Sequence, residues 1–214
     1  MQNVNKITTL FLDIGGVLLS NGWGRDFRQR AVEKFHLDEI EIEERHSIMF
    51  VTYEEGKITL DEYLDRVVFY KHRDFSRAEF RDFMFSLTTA NSEMISFIKE
   101  LKVQNNLKIV AVSNEARELN SYRIQTFKLN SFIDFFISSC YVHIRKPDAN
   151  IFRMALDLAQ VSAEEVVYID DVQMFVDIAT DLKIKSIRHT NWHSTSEALS
   201  HLGLSVTNNK LINA

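Results

Sequence analysis

Residues able to do chemistry stand at the ends of apolar runs in this chain. The stretch 7–19 reads Ile-Thr-Thr-Leu-Phe-Leu-Asp-Ile-Gly-Gly-Val-Leu-Leu, so an apolar run meets Asp13 and two glycines follow almost at once. The run has the length and bounding of a buried strand. The glycines allow a sharp turn and leave room for a ligand close to the backbone. Three later runs have the same form. The run 107–112 is followed by Ser113-Asn114, 135–138 leads into a loop carrying Arg145-Lys146-Pro147-Asp148, and 166–169 is followed by Asp170-Asp171. Parallel strands place their C-terminal ends on one edge, where open α/β sheets bind ligands, so these groups are expected to converge on Asp13.

Their chemistry is complementary. Asp13, Asp170 and Asp171 would be three carboxylates in one place, and unpaired like charges at that density are costly. A hard divalent cation resolves the conflict, and an oxygen site with few protein carboxylates suits Mg²⁺. Ser113 brings a hydroxyl, Lys146 a point positive charge, and the amides opening the next helix bring donors for an anion. Together these describe phosphoryl transfer with a carboxylate nucleophile. Each group alone has an ordinary alternative: a turn aspartate, a helix cap, a solvated lysine. Their joint occurrence in this order favours the site.

The elements that must position these groups have two textures. Between residues 25 and 88 the pattern is helical. Phe27, Ala31, Val32 and Phe35 share one face, as do Leu60, Tyr63, Leu64, Val67 and Val68, and as do Phe80, Phe83, Met84 and Leu87. Thr59…Glu62 and Ser76…Glu79 have capping-box spacing. A small bundle of about four helices is expected. After residue 91, helices near 92–104, 115–127, 148–160 and 173–182 alternate with strands at 107–112, 135–138, 166–169 and 184–187, and Ser194…Glu197 is expected to cap a last helix. Alternation of this kind implies a parallel sheet covered on both faces. The fold class is therefore α/β, a Rossmann-like parallel sheet interrupted after its first strand by an all-α insert. The first strand is expected to close by Leu19, with Asn21-Gly22-Trp23-Gly24 as a hinge or a plain surface loop, and the tail 205–214 as mobile.

Composition narrows the setting. The chain has 214 residues, 45% hydrophobic and 26% charged, an ordinary globular balance. Cys140 is the single cysteine, which excludes an internal disulfide and suits a reducing cytosol. The start, Met1-Gln-Asn-Val-Asn-Lys6, lacks signal-peptide form, and no apolar run is long enough to span a bilayer. The net charge of −5 disfavours a nucleic-acid partner. A cytoplasmic monomer or homodimer, free of membrane and nucleic acid, is expected.

At this point the residues resemble the haloacid dehalogenase superfamily. Its four motifs match in order: Leu12-Asp13-Ile14-Gly15-Gly16-Val17, then Ser113-Asn114, then Lys146, then Tyr168-Ile169-Asp170-Asp171. The helical block matches the family's inserted cap. The resemblance implies a core of 1–20 and 91–214 with a helical cap at 21–90. It implies that Asp13 attacks phosphorus, and that Mg²⁺ is bound by Asp13, the Gly15 carbonyl and Asp171, with Asp170 supporting it or binding through water. Ser113 and the Asn114 amide would hold phosphoryl oxygens, Lys146 would neutralise charge and orient Asp13, and the cap would select a small phosphorylated metabolite. Tyr53 and Glu54, in a segment expected to link the second and third cap helices, are candidates for substrate contact.

The sequence departs from the family pattern in three places. Gly15 stands where the phosphatases place a second Asp as general acid/base, a function typically worth about 10²–10⁴-fold. Phe175 stands where many relatives have Asn or Asp, and Lys183 replaces the usual Gly before the last strand. Three functions follow. The leading one is a Mg²⁺-dependent phosphatase favouring good leaving groups such as anomeric, acyl or aryl phosphates. The others are a 2-haloacid dehalogenase, which would not need Asp170-Asp171, and a catalytically weakened phosphometabolite-binding or interaction protein. His189 and His193 have a four-residue spacing but no third ligand nearby, so a zinc site is not expected. Cap aromatics such as Phe50, Tyr53, Phe69, Tyr70 and Phe85 either line a pocket or form the bundle core.

Overall fold

The structure is a computed structural model that describes residues 6–207. The expectations for residues 1–5 and for the tail from 208 onward lie outside those residues. Five strands form one parallel sheet: β1 (Thr9–Leu12), β2 (Lys108–Ser113), β3 (Phe135–Ser138), β4 (Val166–Asp170) and β5 (Lys185–Arg188), in the order β3-β2-β1-β4-β5. The order reverses between β1 and β4, and crevices at such switch points are where doubly wound sheets take their ligands. All four residues of β1 are buried, as expected of a central parallel strand covered on both faces. Leu10 and Leu12 join a core with Met94, Ile98 and Leu101 of α5 (Ser92–Asn105) and Leu199 of α10 (Trp192–His201). Phe11 joins the opposite core with Ile151, Phe152 and Ala155 of α8 (Asn150–Ala159) and Ala179 of α9 (Gln173–Asp181). Alternate side chains of one strand thus serve two helical layers.

The helical insert follows β1. It comprises α1 (Arg25–Phe35), α2 (Glu39–Glu54), α3 (Leu60–Val67) and α4 (Arg77–Ser86). Both expected capping boxes form, at Thr59 with Glu62 and at Ser76 with Glu79. Tyr63, Leu64, Val67, Phe80 and Met84 build its own apolar core. Phe69 packs into that core, Phe85 stacks on Tyr122 of α6 (Arg117–Thr126), and only Phe50 and Tyr53 of the five expected aromatics border the cleft described below. The two segments joining insert and sheet run side by side. Leu19 bridges Ala90 antiparallel, Ser20 N–H donates to Thr89 O (2.8 Å), and Asn91 N–H donates to Leu18 O (2.9 Å).

Several boundaries differ from expectation for identifiable reasons. β1 stops at Leu12, not Leu19, because the amides of Leu18 and Leu19 both turn back onto Ile14 O around Gly16, which sits at φ +71°. Val17, Leu18 and Leu19 stay buried as a turn. The last helix is capped by Asn191, whose side chain accepts from Ser194 N–H (3.0 Å), so Ser194…Glu197 lies inside it. The segment 21–24 is not a plain surface loop: Trp23 Nε1–H donates to Tyr63 OH (2.9 Å) and Arg28 Nη1–H to Trp23 O (2.7 Å). A short helix, α7 (Ser139–Val142), gives no periodic signal at four residues. Lys183 has φ 68°, which explains why glycine suits that position.

Gly56, at φ +65°, carries the turn after α2, and a Cβ there would collide with the Cys140 carbonyl. Gly203 has a similar φ of +82° but open space around it. Gly203→Ala should therefore cost only the left-handed penalty of about 1–2 kcal/mol, and Gly56→Ala clearly more, as measured by urea unfolding.

Candidate active site

Asp13 follows β1 directly, and its amide N–H donates to Ile169 O (2.9 Å), which fixes it beside the end of β4. Ser113 closes β2 and Asp170 closes β4, so all three arrive at one edge. Lys146 comes from the loop between α7 and α8 and is wholly buried. Its ammonium reaches Asp170 Oδ2 at 2.6 Å, Tyr168 OH at 3.1 Å and Asp13 Oδ1 at 3.1 Å. The contact with Asp13 is an ion pair without hydrogen-bond alignment. Asn114 holds the lysine in place: its Nδ2–H donates to Lys146 O (2.9 Å) and its Oδ1 accepts from Lys146 N–H (2.8 Å).

The three aspartates each offer an oxygen, and these oxygens lie within 4.8 Å of one another. They are not equivalent. Asp170 is committed, with Oδ2 taken by Lys146 and Tyr168 and Oδ1 accepting from Val172 N–H (2.7 Å). Asp171 Oδ1 is buried without a partner, as are Asp13 Oδ1 and Ser113 Oγ in hydrogen-bonding terms. Orphaned buried oxygens of this kind fit an oxygen-seeking cation and an anion placed beside it. Gly16 is part of this arrangement, because a Cβ there would run into the Asp171 carboxylate. The space expected for a ligand at that glycine is filled by Asp171. Gly15 lines the cleft, and Asn21 Oδ1 lies 3.5 Å from where a Cβ at 15 would stand.

Electrostatics follow from burial. Desolvation pushes the Asp13 carboxyl up to about 7 against the pull of Lys146, with Asp170 adding to the rise. Burial, then Asp170, also raises Asp171. Burial lowers Lys146, but Asp13 and Asp170 outweigh it and hold the ammonium above its ordinary range. Phe175 places its ring 5.0 Å from Lys146 Nζ, an apolar cover where the family pattern has a polar group.

The cleft above this cluster holds about 460 Å³ and is bordered on the far side by the helical insert. Tyr53 and Glu54 both border it, but they form the last turn of α2 and not the link to α3, because the helix runs on to Glu54. Tyr53 is nearly all buried, stacked on Tyr63 at 4.3 Å between ring centroids. Glu54 Oε2 accepts from Arg145 Nε–H (3.0 Å) and lies 3.0 Å from Nη2 in an ion pair. Sequence reasoning passed over Arg28, His46, Glu115 and Arg145, which also line the cleft. Only Arg145, next to Lys146, carried a signal. Volume does not single out the cleft, since a groove of about 550 Å³ between α5 and α10 is larger, but the ionisable groups lining that groove are exposed. His189 Nδ1 pairs with Thr195 Oγ1 (2.8 Å), and among the described residues the aspartate trio is the one metal-competent cluster.

The pattern of the haloacid dehalogenase-like hydrolase family matches residues 23–188. The chain belongs to that family. The matched span begins beyond Asp13, so this family member's residue roles rest on the geometry above. It is 37% identical over 60 residues to bifunctional epoxide hydrolase 2 of Sus scrofa, which covers 28% of the chain and 11% of that enzyme. It is 25% identical over 170 residues to flavin mononucleotide hydrolase 1 of Arabidopsis thaliana, covering 79% of the chain and 68% of the relative. A family enzyme of Bacteroides thetaiotaomicron, solved with magnesium and inorganic phosphate, shares the fold with a TM-score of 0.72 at 21% identity, over 87% of this chain and 97% of that one.

Lys146→Met would leave two carboxylates buried without their counter-charge. A loss of about 3–5 kcal/mol is expected near neutral pH. Without the ammonium, Asp13 is pushed up further and takes a proton more readily in the folded state. A folded-state carboxyl above its unfolded value contributes stability that is present at low pH and lost as pH rises through the folded value. The deficit of the variant relative to wild type should therefore be smaller at about pH 5 than at about pH 8, as read from urea unfolding at both.

Proposed function

We propose that the chain is a Mg²⁺-dependent phosphatase of a small phosphorylated metabolite, acting through an aspartyl-phosphate on Asp13. The observation that carries this reading is the wholly buried Lys146 ammonium between Asp13 and Asp170, with unpaired oxygens of Asp171 and Ser113 alongside. Asp13, the Gly15 carbonyl and Asp171 would hold the metal, with Asp170 supporting them from its bonds to Lys146 and Val172. When bound, Mg²⁺ supplies positive charge that favours ionised Asp13 and neutralises the phosphate. Ser113 Oγ–H and the Asn114 amide donate to phosphoryl oxygens. Lys146 offsets charge as Asp13 attacks, and its fixed position orients the attacking carboxylate. The helices at 21–90 act as a cap that excludes water from the cleft. The magnesium and phosphate of the Bacteroides enzyme and the name of the Arabidopsis relative agree with this reading.

The acidic pair argues against a metal-free dehalogenase, since a halide-releasing site has no use for Asp171 with an oxygen left open. A screen of diverse phosphate esters tests the proposal. Turnover should require Mg²⁺, stop on adding a chelator, and fall at least about 10³-fold in Asp13→Asn. Turnover that survives either change overturns it, and halide release from 2-haloacids in the presence of chelator would install the dehalogenase reading instead.

A further inference from the structure

In-line displacement at phosphorus has a second requirement that residue 15 cannot meet. Asp13 attacks from the sheet edge, so the leaving oxygen departs on the opposite side, toward the cap. That oxygen needs a proton, and the water that later enters from the same side must lose one. The ionisable groups bordering the cleft outside the aspartate cluster are Arg28, His46, Tyr53, Glu54, Glu115 and Arg145, and burial holds the Tyr53 hydroxyl well above its ordinary range, too weak an acid for this exchange. The arginines do not exchange protons at working pH. His46 Nδ1 is engaged with Tyr63 OH (2.7 Å), and burial, then Arg28, pulls its pKa to about 4. Glu115 is buried and locked onto Arg123.

Glu54 is placed differently. Its carbonyl accepts from Ser139 Oγ–H (2.7 Å), and the carbonyl of Glu55 is bonded to His143 Nδ1 (2.7 Å). With Gly56 against Cys140, three successive residues fix the end of α2 over the strand ends. Nε and Nη2 of Arg145 converge on Oε2, and among the described residues Oε1 has no hydrogen-bond partner. Arg145 is itself braced on the Phe50 ring, 4.6 Å away.

We propose that Glu54 is the general acid and base of this enzyme, delivered by the cap in place of the side chain that Gly15 lacks. The inference rests on the phosphatase reading above. In the first half, Asp13 forms a bond to phosphorus and the bond to the leaving oxygen breaks. Its electron pair goes to that oxygen, which takes the proton of the Glu54 carboxyl and leaves as an alcohol. In the second half, water attacks phosphorus and gives a proton to the Glu54 carboxylate. The bond to Asp13 breaks with its electron pair returning to the carboxylate, so inorganic phosphate departs and Glu54 is again protonated. Burial raises Glu54 to about 7 against the pull of Arg145, with Glu115 adding to the rise and Lys146 opposing it, which suits both directions of transfer. The preference for good leaving groups expected from Gly15 then belongs to a variant without Glu54.

Single-turnover kinetics of Glu54→Gln decide the matter. With p-nitrophenyl phosphate, whose leaving group needs no proton, the variant should release about one equivalent of nitrophenol at close to the wild-type rate. It should then turn over at least about 100-fold more slowly as phosphoenzyme accumulates. With an alkyl phosphate the first turnover itself should slow by about that factor. Glu54→Asp, which keeps a carboxyl, should recover part of the alkyl-phosphate rate. Equal slowing of the first turnover for both esters, or no slowing, overturns the role of Glu54 and leaves the phosphatase reading standing. Absence of any Mg²⁺-dependent, Asp13-dependent turnover by the wild-type protein overturns both.

Discussion

Lys146 carries a full positive charge where water does not reach it, and the strand ends are organised around keeping that charge there. An isolated buried ammonium would give up its proton. Here Asp170 and the Tyr168 hydroxyl accept hydrogen bonds from it, Asp13 pairs with it as an ion, and the Asn114 side chain fixes both the N–H and the C=O of Lys146. The dependence is mutual. Without the ammonium, Asp13 and Asp170 would be two negative charges facing each other at adjacent strand ends. With it, Asp170 becomes part of the scaffold, and Asp13 and Asp171 keep oxygens to spare. The division of labour among three identical side chains follows from which of them the lysine uses up.

Much of this was legible in the chain because an apolar run stopped by a polar residue is a one-dimensional signal. Four such runs gave the strand ends, and parallel pairing gave the convergence of Asp13, Ser113 and Asp170. The family resemblance supplied the insert's identity as a cap and an order of motifs that matched the sheet. What remained hidden depends on contacts across long sequence separations. The pair of hydrogen bonds between the Asn114 side chain and the Lys146 backbone joins residues that look like a cap and a loop. Adjacent residues 170 and 171 have the same chemistry, and only the end of β4 between them leaves one buried in the strand and the other lining the cleft. Gly16 reads as a turn glycine, while the structure shows it also yields room to Asp171. Arg28 and His46 look like ordinary helical residues until the insert is folded over the sheet.

The insert is tied down by a different kind of contact. Its own core is apolar, built from Tyr63, Leu64, Phe80 and their neighbours, and it takes in Ala116 and Leu119 at the start of α6, while polar contacts flank that seam. Leu60 N–H donates to Glu118 Oε1 (3.1 Å), Arg145 holds Glu54, and Arg123 reaches back to Ser20 O (2.5 Å). Polar contacts release more readily in water than apolar ones, because each partner can find water instead. Apolar packing on α6 and polar contacts beside the cleft together hold the cap over the strand ends.

The bridge between Leu19 and Ala90 gives the insert a single doorway. The chain leaves the sheet and returns to it through neighbouring backbone positions. Seen from the sheet, seventy-odd residues of helix have the span of a tight turn, roughly one strand spacing. Whatever lies beyond that doorway can lengthen, shorten or be exchanged wholesale without moving β1 against β2 or β4. The strand ends can keep their arrangement while the insert beyond the doorway is rebuilt.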